Sequence, residues 1–282
     1  MLTNARLCRL DGAVRYTEAP ARRAELLQRL TAEGYVASAT LATELGVSEM
    51  TIRRDLGQLH LEGLARRVTG GATLPSDGQT FTERHRAGAA EKHAIAAACA
   101  RLLGAAATVA LDAGTTVAPL ADLIAPGTTV VTHSVPVINA ATARDDLDLV
   151  VVGGTYQPDT RAFAGPATRA GLDGLLVDVA VLSATAVDAS GFLCVNPFDA
   201  ETKRAMATIA ERVIVLVDHT KLGLRAPIRV GPLKLVDVLV TDAGASDEQL
   251  AFLEAAGVEV IVAEVDGAQG TRGTASGSEA SR

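Results

Sequence analysis

The sequence predicts an α/β protein with a small winged helical domain at its N-terminus and a larger layered α/β domain with a mainly parallel sheet. Short β-type runs alternate with helical runs along residues 92–265, a pattern typical of layered α/β domains. The runs at 149–152 and 213–217 are apolar throughout, as expected for strands buried on both faces of a parallel sheet. Residues 21–75 instead combine three short helical patterns with a glycine-rich hairpin signal, and 282 residues suit two domains.

The composition indicates an aliphatic core. Hydrophobic residues make up 48% of the chain, aromatic residues 3%, and tryptophan is absent, so Ala, Val, Leu and Ile must fill the interior. No apolar run reaches the roughly 18 residues of a membrane span and no secretory signal opens the chain, which predicts a cytoplasmic protein. Cys8, Cys99 and Cys194 lie far apart and favour neither a disulfide framework nor a zinc site. We expect no metal and no cofactor.

Composition and turn signals divide the chain into five segments. They are a flexible leader at 1–20, the small domain at 21–75, a linker at 76–91, the α/β domain at 92–265 and a disordered tail at 266–282. Residues 1–75 hold ten arginines against eight acidic residues, a net charge of +2 that leaves −9 for the remainder. The total charge therefore excludes no partner, because a nucleic acid responds to local charge.

The first two helices of the small domain are marked at their ends. The first begins at Ala21, after Pro20, and Gly34 stops it. Ser38 is expected to cap a second, short helix that ends at Gly46.

A third helix at 49–62 has the best-defined start in the sequence. Ser48 is placed to cap it, and Val47 and Ile52 can pack together as a hydrophobic staple. Gly63 is expected to end it. Its apolar stripe consists of Ile52, Leu56 and Leu59. The opposite face, which carries paired arginines, is left for solvent or for a partner.

A hairpin follows this helix. Strands are predicted at 64–68 and 72–74, and the glycines between them allow a tight turn. Together these features predict a winged helix-turn-helix domain, whose third helix would enter the major groove of DNA. Its candidate DNA contacts are Ser48, Met50, Thr51, Arg53, Arg54, Arg66 and Arg67. Two alternatives stay open at this point: a three-helix packing module with solvated arginines, and a protein-interaction module.

In the α/β domain, small and polar residues follow the predicted strands where each strand ends. Ligands of open α/β sheets bind at this edge, where helix N-termini and free N–H groups can hold a phosphate. The clusters are Asp112, Gly114, Thr115 and Thr116; Thr132 and Ser134; Gly153 and Gly154; and Asp218 and Lys221. Four such clusters predict one shared ligand crevice.

Both domains resemble one known family. Residues 41–56 (LATELGVSEMTIRRDL) and 66–72 (RRVTGGA) resemble the DNA-binding domain of DeoR-family repressors. The strand-end clusters, with Gly165–Pro166 and a later Glu201-x-Lys203 motif, resemble the sensor domain of that family, so the resemblance covers roughly residues 20–262. It implies a sensor fold similar to ribose-5-phosphate isomerase and a response to sugar phosphates.

The resemblance also implies roles for single residues. The phosphate would be held by Gly114, Thr115 and Thr116, and Lys221 would neutralise its charge. Four further residues would bond the sugar hydroxyls or orient the site: Asp112, Ser134, Glu201 and Lys203. The chain departs from the family at His133, where asparagine is usual, and at Ser183 and Ala186, where glycines are usual. We expect His133 to be solvated, and the added Cβ atoms to narrow the crevice.

The predicted function is a DNA-binding regulator, a repressor of sugar or carbohydrate metabolism genes under the control of a phosphorylated sugar or related metabolite. Its partners would be a double-stranded DNA operator and a second copy of the chain in a homodimer or homotetramer, with no membrane. The alternative is a sugar-phosphate isomerase-like enzyme. Asp112, Glu201, Lys203 and Lys221 are the groups that offer a base and a cation. Segment 183–188 holds no acid besides Asp188, so we expect no catalysis.

Overall fold

The computed structural model describes residues 19–264, apart from 34, 63, 69, 74–80 and 105. The predicted tail, nearly all of the predicted leader and the expected helix stops Gly34 and Gly63 lie outside these residues. Within the described part of the chain, no helix has the length and apolar character needed to cross a membrane.

The small domain is the predicted winged helix-turn-helix. Its elements are α1 (Ala19–Glu33), β1 (Tyr35–Ala37), α2 (Ser38–Leu45), α3 (Glu49–Leu61), β2 (Arg66–Val68) and β3 (Gly71–Thr73). The strands pair antiparallel in the order β1-β3-β2. Strand β1 was not predicted, because its three residues are too few to show an alternating pattern. The apolar faces of the three helices pack around Leu26, Leu30 and Leu56, which are at most 1% exposed.

The helix ends in this domain follow local chemistry, with one exception. Ser48 caps α3 by accepting a hydrogen bond from the N–H of Thr51 at 3.1 Å, as predicted. Gly46 ends α2 in the left-handed conformation, with φ 64°, also as predicted. The expected Ser38 cap is wrong: the N-cap is Ala37, which makes no side-chain capping bond, and Ser38 is the buried first residue of α2. The short strand before α2 places the helix start one residue earlier.

Two boundaries around the small domain differ from expectation. Helix α1 begins at Ala19, since Pro20 fits the first turn of a helix, where no N–H is required. The segment predicted as a linker at 76–91 contains α4 (Phe81–Arg86) and the first turn of α5 (Ala89–Leu103). Its turn residues suggested a loop, but the described part of the segment is mostly helical.

The large domain alternates strands and helices as predicted. After α5 come β4 (Thr108–Leu111), β5 (Thr129–Thr132), α6 (Val135–Thr142), β6 (Asp148–Val151), β7 (Thr155–Gln157), β8 (Ala162–Ala164), α7 (Pro166–Leu172), β9 (Val177–Ser183), β10 (Ala186–Asp188), β11 (Gly191–Cys194), α8 (Pro197–Thr208), β12 (Ala210–Leu216), β13 (Ile228–Gly231), β14 (Val238–Asp242), α9 (Asp247–Ala255) and β15 (Glu259–Ala263). The helix predicted at 116–124 is a 3₁₀ helix, Ala118–Leu123.

The main sheet of the described residues has seven parallel strands in the order β15-β14-β12-β9-β4-β5-β6. From β4 to one edge of the sheet the strands follow one another in chain order, as β4, β5 and β6. From β9 to the other edge they again follow in chain order, as β9, β12, β14 and β15. The strand order reverses between the paired neighbours β4 and β9. This is the topological switch point, where open α/β sheets bind ligands. The confirmed fold class thus predicts the site at the carboxyl ends of these two strands.

One prediction about the sheet is wrong. The run at 149–152 does not form a strand buried on both faces: β6 is an edge strand, and Val150 and Val151 are 39% and 47% exposed. The antiparallel strands β7, β8, β10, β11 and β13 were not predicted. Each is three or four residues long, too short to show a strand period.

Candidate DNA interface and effector site

The exposed face of α3 carries the predicted DNA contacts. Ile52 and Leu56 are at most 1% exposed against α1 and α2, whereas Met50 is 71% exposed. Arg53 and Arg54 are exposed on the same outer side. The buried stripe therefore holds the helix so that its arginines point to solvent, as recognition of a DNA groove requires.

Side chains of α3 and of the wing meet at one cleft of about 240 Å³. Its lining residues are Ser38, Arg53, Leu56, Arg67, Val68, Gly70 and Gly71. Two predicted DNA contacts, Arg53 from the helix and Arg67 from the wing, thus share a single concave surface. Arg53 is also bridged to Glu49 at 2.7 Å. Arg66 is half-buried, and its Nε atom has no hydrogen-bond partner among the described residues.

A buried ion pair positions α3 on α1. Arg22 and Asp55, 6% and 4% exposed, are joined by a contact of 2.5 Å between Nε and Oδ2. The sequence analysis missed this pair, because the two residues are 33 positions apart and no local pattern connects them.

At the switch point, Asp112 is the centre of a buried polar network. Its carboxylate is 0% exposed and accepts bonds from the Ser183 N–H at 2.9 Å and the Ser183 hydroxyl at 2.8 Å. His133 Nε2 lies 3.2 Å from the other oxygen, and the Lys203 ammonium is bonded to the same oxygen as Ser183. Three of these contacts are to Oδ2 and one is to Oδ1, so His133, Ser183 and Lys203 hold the buried carboxylate from three different elements.

Lys203, 2% exposed, uses all three of its donors in this network. Besides Asp112, it bonds the Ser183 hydroxyl at 3.1 Å and Asp199 at 3.2 Å. Burial opposes the charge of Lys203, but attraction to the two carboxylates outweighs it and raises its pKa. Burial likewise opposes the charge of Asp112, yet Lys203 and His133 hold its pKa well below the ordinary value. Burial raises the pKa of Asp199 against the attraction of Lys203.

The expectation that His133 is solvated is wrong. The residue is 3% exposed, and its Nδ1 atom lies 2.7 Å from the carbonyl oxygen of Phe163. Its ring therefore bridges β8 to Asp112 and serves as part of the buried network.

The two departures from glycine have different surroundings. A Cβ atom added at Gly114 would lie 2.3 Å from Ser183 Oγ and 2.5 Å from Ser183 Cβ. The serine therefore fills the space beside the Gly114 loop. Ala186 belongs to a small apolar cluster with Leu193 and Ala226.

The remaining clusters lie at the same edge of the sheet in different surroundings. Thr132 bonds the Leu111 carbonyl at 2.7 Å and accepts the Ser134 N–H at 3.1 Å. The Ser134 hydroxyl is buried and has no partner among the described residues. Within the loop after β4, Thr115 is half-buried and Thr116 is buried.

Two predicted positions support the fold around the crevice. A Cβ atom at Gly154 would lie 2.1 Å from Thr168 Oγ1, and Gly153 accepts a hydrogen bond from that hydroxyl at 2.9 Å. Both glycines thus hold α7 against the strand end.

Of the predicted site residues on α8 and in the loop after β12, Lys203 contacts Asp112, whereas Glu201 and Asp218 have other positions. Lys203 and Asp199 share one face of α8, whereas Glu201 is about 200° around the helix axis from Asp199 and does not face Asp112. Asp218 is 7% exposed and caps its own loop by accepting the Thr220 N–H at 3.2 Å.

Two family models match the chain, and together they cover the small domain and most of the large one. Residues 22–77 match the DeoR-like helix-turn-helix domain, and residues 88–243 match the DeoR C terminal sensor domain. The chain belongs to the DeoR family. As a member of this family, it is a DNA-binding transcriptional regulator.

Its relatives in this family include named repressors. It is 33% identical to the transcriptional repressor AccR of Agrobacterium fabrum, over 79% of this chain and 89% of that protein. It is 29% identical to the glycerol-3-phosphate regulon repressor of Escherichia coli, over 77% of this chain and 88% of that protein. Among solved structures, it is similar to a D-ribose-5-phosphate isomerase in complex with phospho-erythronic acid, at 20% identity and a TM-score of 0.33, over 46% of this chain and 52% of that one.

Two basic residues that sequence reasoning did not assign to the site lie beside the sensor crevice of this DeoR-family chain. His85 of α4 is against the backbone of Thr115, and burial lowers its pKa. Lys92 of α5 is 5% exposed, bonds the Ala87 carbonyl at 2.6 Å and interacts electrostatically with Asp218. Burial lowers the pKa of Lys92 as well. His85 and Lys92 thus place α4 and α5 beside two of the predicted strand-end clusters.

Proposed function

We propose that the chain represses genes of sugar or carbohydrate metabolism from a double-stranded DNA operator in the cytoplasm, and that a phosphorylated sugar or related metabolite controls it. The observation that carries the DNA-binding part is the arginine-lined cleft between α3 and the wing. Two repressors among the relatives support the sign of regulation, and one of them regulates a glycerol-3-phosphate regulon.

The two arginines of the cleft are suited to different parts of the DNA, Arg53 to base edges and Arg67 to the phosphate backbone. Arg53 and the neighbouring Arg54 project from the N-terminal half of α3, the part of a recognition helix that reaches base edges. Arg67, on the wing, is suited to a backbone phosphate beside the groove. Each bidentate arginine–guanine pair contributes roughly 1–3 kcal/mol of discrimination between bases.

A mobility-shift assay with the promoter beside the protein's own gene tests this. The Arg53→Ala/Arg54→Ala variant should lose specific retention while its thermal unfolding stays that of the wild type, since both side chains are exposed. Arg169→Ala, an equally exposed arginine on α7, is the matched control and should bind normally. Unchanged retention by the double variant would remove the recognition role. If the wild type retains neither this promoter nor random duplexes above competitor DNA, the repressor proposal fails.

For the effector, we propose that the phosphate binds the loop Gly114–Thr116 at the switch point, next to the Lys221 loop. Backbone N–H groups at strand ends favour anions, and the buried Ser134 hydroxyl, without a partner in the described structure, is available to a ligand. Asp112 and Lys203 are buried and bonded to each other and to their neighbours. Their proposed role is to hold the loop in place.

The burial of Asp112 supports a non-enzymatic sensor. Isomerisation of a sugar phosphate needs a carboxylate free to take a proton from carbon, and Asp112 is 0% exposed and in contact with His133, Ser183 and Lys203. We expect no proton exchange from labelled ribose 5-phosphate with the purified protein. Turnover above a buffer control would overturn this part of the proposal.

We propose that the effector signal reaches the DNA-binding domain through Arg225. Its N–H donates to the Glu33 carbonyl at 2.9 Å, and its guanidinium lies 3.2 Å from the Glu33 carboxylate and 3.8 Å from that of Asp188. Arg225 is four residues beyond Lys221, so a shift of the Lys221 loop is transmitted over a short stretch of chain to the end of α1.

The effector proposal is tested by thermal shift and by DNA retention with glycerol 3-phosphate and ribose 5-phosphate as probes. At least one phosphorylated probe should raise the melting temperature and change retention, and Lys221→Ala should abolish both effects. Lys234→Ala, an exposed lysine elsewhere in the same domain, should respond as the wild type does. If a panel of sugar phosphates changes neither quantity, the sensor proposal fails while the DNA-binding proposal stands.

A further inference from the structure

The side chain of His85, on α4, has a hydrogen-bonding atom that is not used. Its Nδ1 atom is buried and bonds no group among the described residues. Buried polar atoms are almost always hydrogen-bonded, so an unpaired one marks a place where a further group can bind. The same ring interacts with the backbone of Thr115, in the loop that follows β4. The unpaired atom therefore lies next to the loop for which the phosphate is proposed.

Stacking and hydrogen bonds fix α4 on the large domain. The rings of Phe81 and His85 are stacked, with 6.0 Å between their centroids and 12° between their planes. The guanidinium of Arg161, between β7 and β8, lies 5.4 Å from the centroid of the Phe81 ring, as in a cation–π contact. At the end of α4, the Lys92 ammonium donates to the Ala87 carbonyl at 2.6 Å. The position of His85 beside Thr115 is therefore determined by residues of the large domain.

The charges around His85 favour an anion. The described charged side chains that act on its ring are all basic: Lys92, His93 and Arg161. Those that act on Lys92 are two acidic residues and two basic ones: Asp218, Glu91, Lys221 and Arg84. Burial lowers the pKa of both His85 and Lys92, and repulsion between the two lowers that of His85 further. An anion bound between these groups and Thr115 would relieve the repulsion and favour their protonated forms.

We propose that His85 is a ligand-binding residue of the effector site and donates a hydrogen bond from Nδ1 to an oxygen of the phosphate held by Gly114–Thr116. The inference rests on the proposed effector site and adds a residue that neither family model covers, since the matches end at residue 77 and begin again at residue 88. The half-buried ring brings Nδ1 to such an oxygen by turning about χ2, a torsion that is broad in histidine. Helix α4, between the two domains, is thus part of the binding site.

Calorimetric titration of the full chain with inorganic phosphate tests the role of His85. His85→Phe keeps a ring that can stack on Phe81 and removes both nitrogens, so phosphate affinity should fall about 10- to 100-fold, the usual effect of a hydrogen bond to a charged group. His85→Asn places an amide nitrogen where histidine has Nδ1 and should keep most of the affinity. His85→Gln places it where histidine has Nε2 and should resemble His85→Phe. His93→Phe, at an exposed histidine of α5, is the matched control and should bind phosphate as the wild type does.

The comparison of the asparagine and glutamine variants separates ligand binding from a structural role, because a residue that only packs α4 has no preference for the Nδ1 position. Thermal unfolding without phosphate should be the same for both. Wild-type affinity in His85→Phe, or equal affinity of His85→Asn and His85→Gln, would overturn the inference, and the effector site would stand if Lys221→Ala still weakens phosphate binding. If the wild type binds phosphate no better than Lys221→Ala does, the proposed effector site is wrong and the role of His85 falls with it.

Discussion

Asp112 and Asp199 both contact Lys203. Even so, replacing each carboxylate by a neutral amide should change the free energy of unfolding in opposite directions. Asp112 is 0% exposed and holds four partners, so folding stabilises its ionised form. Asp199 is contacted by Lys203 alone among these groups, and burial raises its pKa. Replacement of each by asparagine changes the charge and keeps the shape, which isolates the electrostatic contribution.

The expected magnitude follows from the geometry. Asp112→Asn leaves the Lys203 ammonium buried without its main counter-ion, and breaking a buried pair from one side costs about 3–5 kcal/mol. For a domain of this size, about 2–4 °C of melting temperature is lost per kcal/mol, which gives a decrease of about 6–20 °C. Asp199→Asn removes a carboxylate whose ionisation folding disfavours, so the free energy of unfolding at pH 7 should be unchanged or higher.

The pH dependence separates the two cases further. The pKa of Asp112 is lowered on folding, so its stabilisation is present above the unfolded value of about 3.9 and is lost as pH falls through the folded pKa. The deficit of Asp112→Asn should therefore be constant from pH 8 to about 5 and shrink at lower pH. The pKa of Asp199 is raised, so any gain from Asp199→Asn should be largest at pH 7–8 and vanish towards pH 4.

Scanning calorimetry of the full chain at pH 7 and pH 4.5 measures both variants against the wild type. Equal destabilisation by the two substitutions would show that the lysine is shared evenly and would refute the assignment of opposite pKa shifts. A loss below 1 kcal/mol for Asp112→Asn would show that the network is solvated in solution.

Three further predictions follow from close contacts. Gly114→Ala should cost about 1–3 kcal/mol by overpacking against Ser183, and in urea unfolding it should cost less when it is added to Ser183→Gly than when it is added to the wild type. Ser183→Gly alone is the reference because it also removes the hydroxyl bonds to Asp112 and Lys203; an equal cost in both backgrounds would place the clash elsewhere. Arg22→Met should destabilise the DNA-binding domain by about 3–5 kcal/mol, and addition of Asp55→Leu should recover most of that, because paired apolar replacement of a buried ion pair is often neutral. Arg225→Gln should reduce the effect of the effector on DNA affinity, measured by titration, and leave affinity without effector unchanged; a normal response would exclude this route.

Local chemistry explains which elements the sequence predicted well. The Ser48 cap and the Gly46 stop depend on contacts within four residues along the chain, so their signals are complete in a short window. The convergence of the strand-end clusters was predictable for a related reason. In a parallel sheet all strands end at the same edge, so residues that follow strands converge even when their order in the sheet is unknown.

Long-range partners explain what was missed. Asp112 bonds residues 21, 71 and 91 positions away, and no local pattern shows such a pairing. The edge position of β6 depends on the strand order, which the apolar run at 149–152 does not contain. A short apolar run in an α/β domain occurs both at the centre of a sheet and at its edge, so this sequence signal does not distinguish the two positions.

The position of the Asp112 network determines how the sensor can recognise its ligand. A buried carboxylate and a buried ammonium are costly to desolvate, so Asp112 and Lys203, bonded to each other and almost excluded from solvent, are poor partners for sugar hydroxyls. The other polar groups that follow these strands in the described chain are backbone N–H groups, the hydroxyls of Thr115 and Ser134, and Lys221 in the loop after β12. These groups favour an anion over a polyol. We infer that the phosphate supplies most of the binding energy and that the serine at position 183, packed on Gly114, limits the size of the group attached to it.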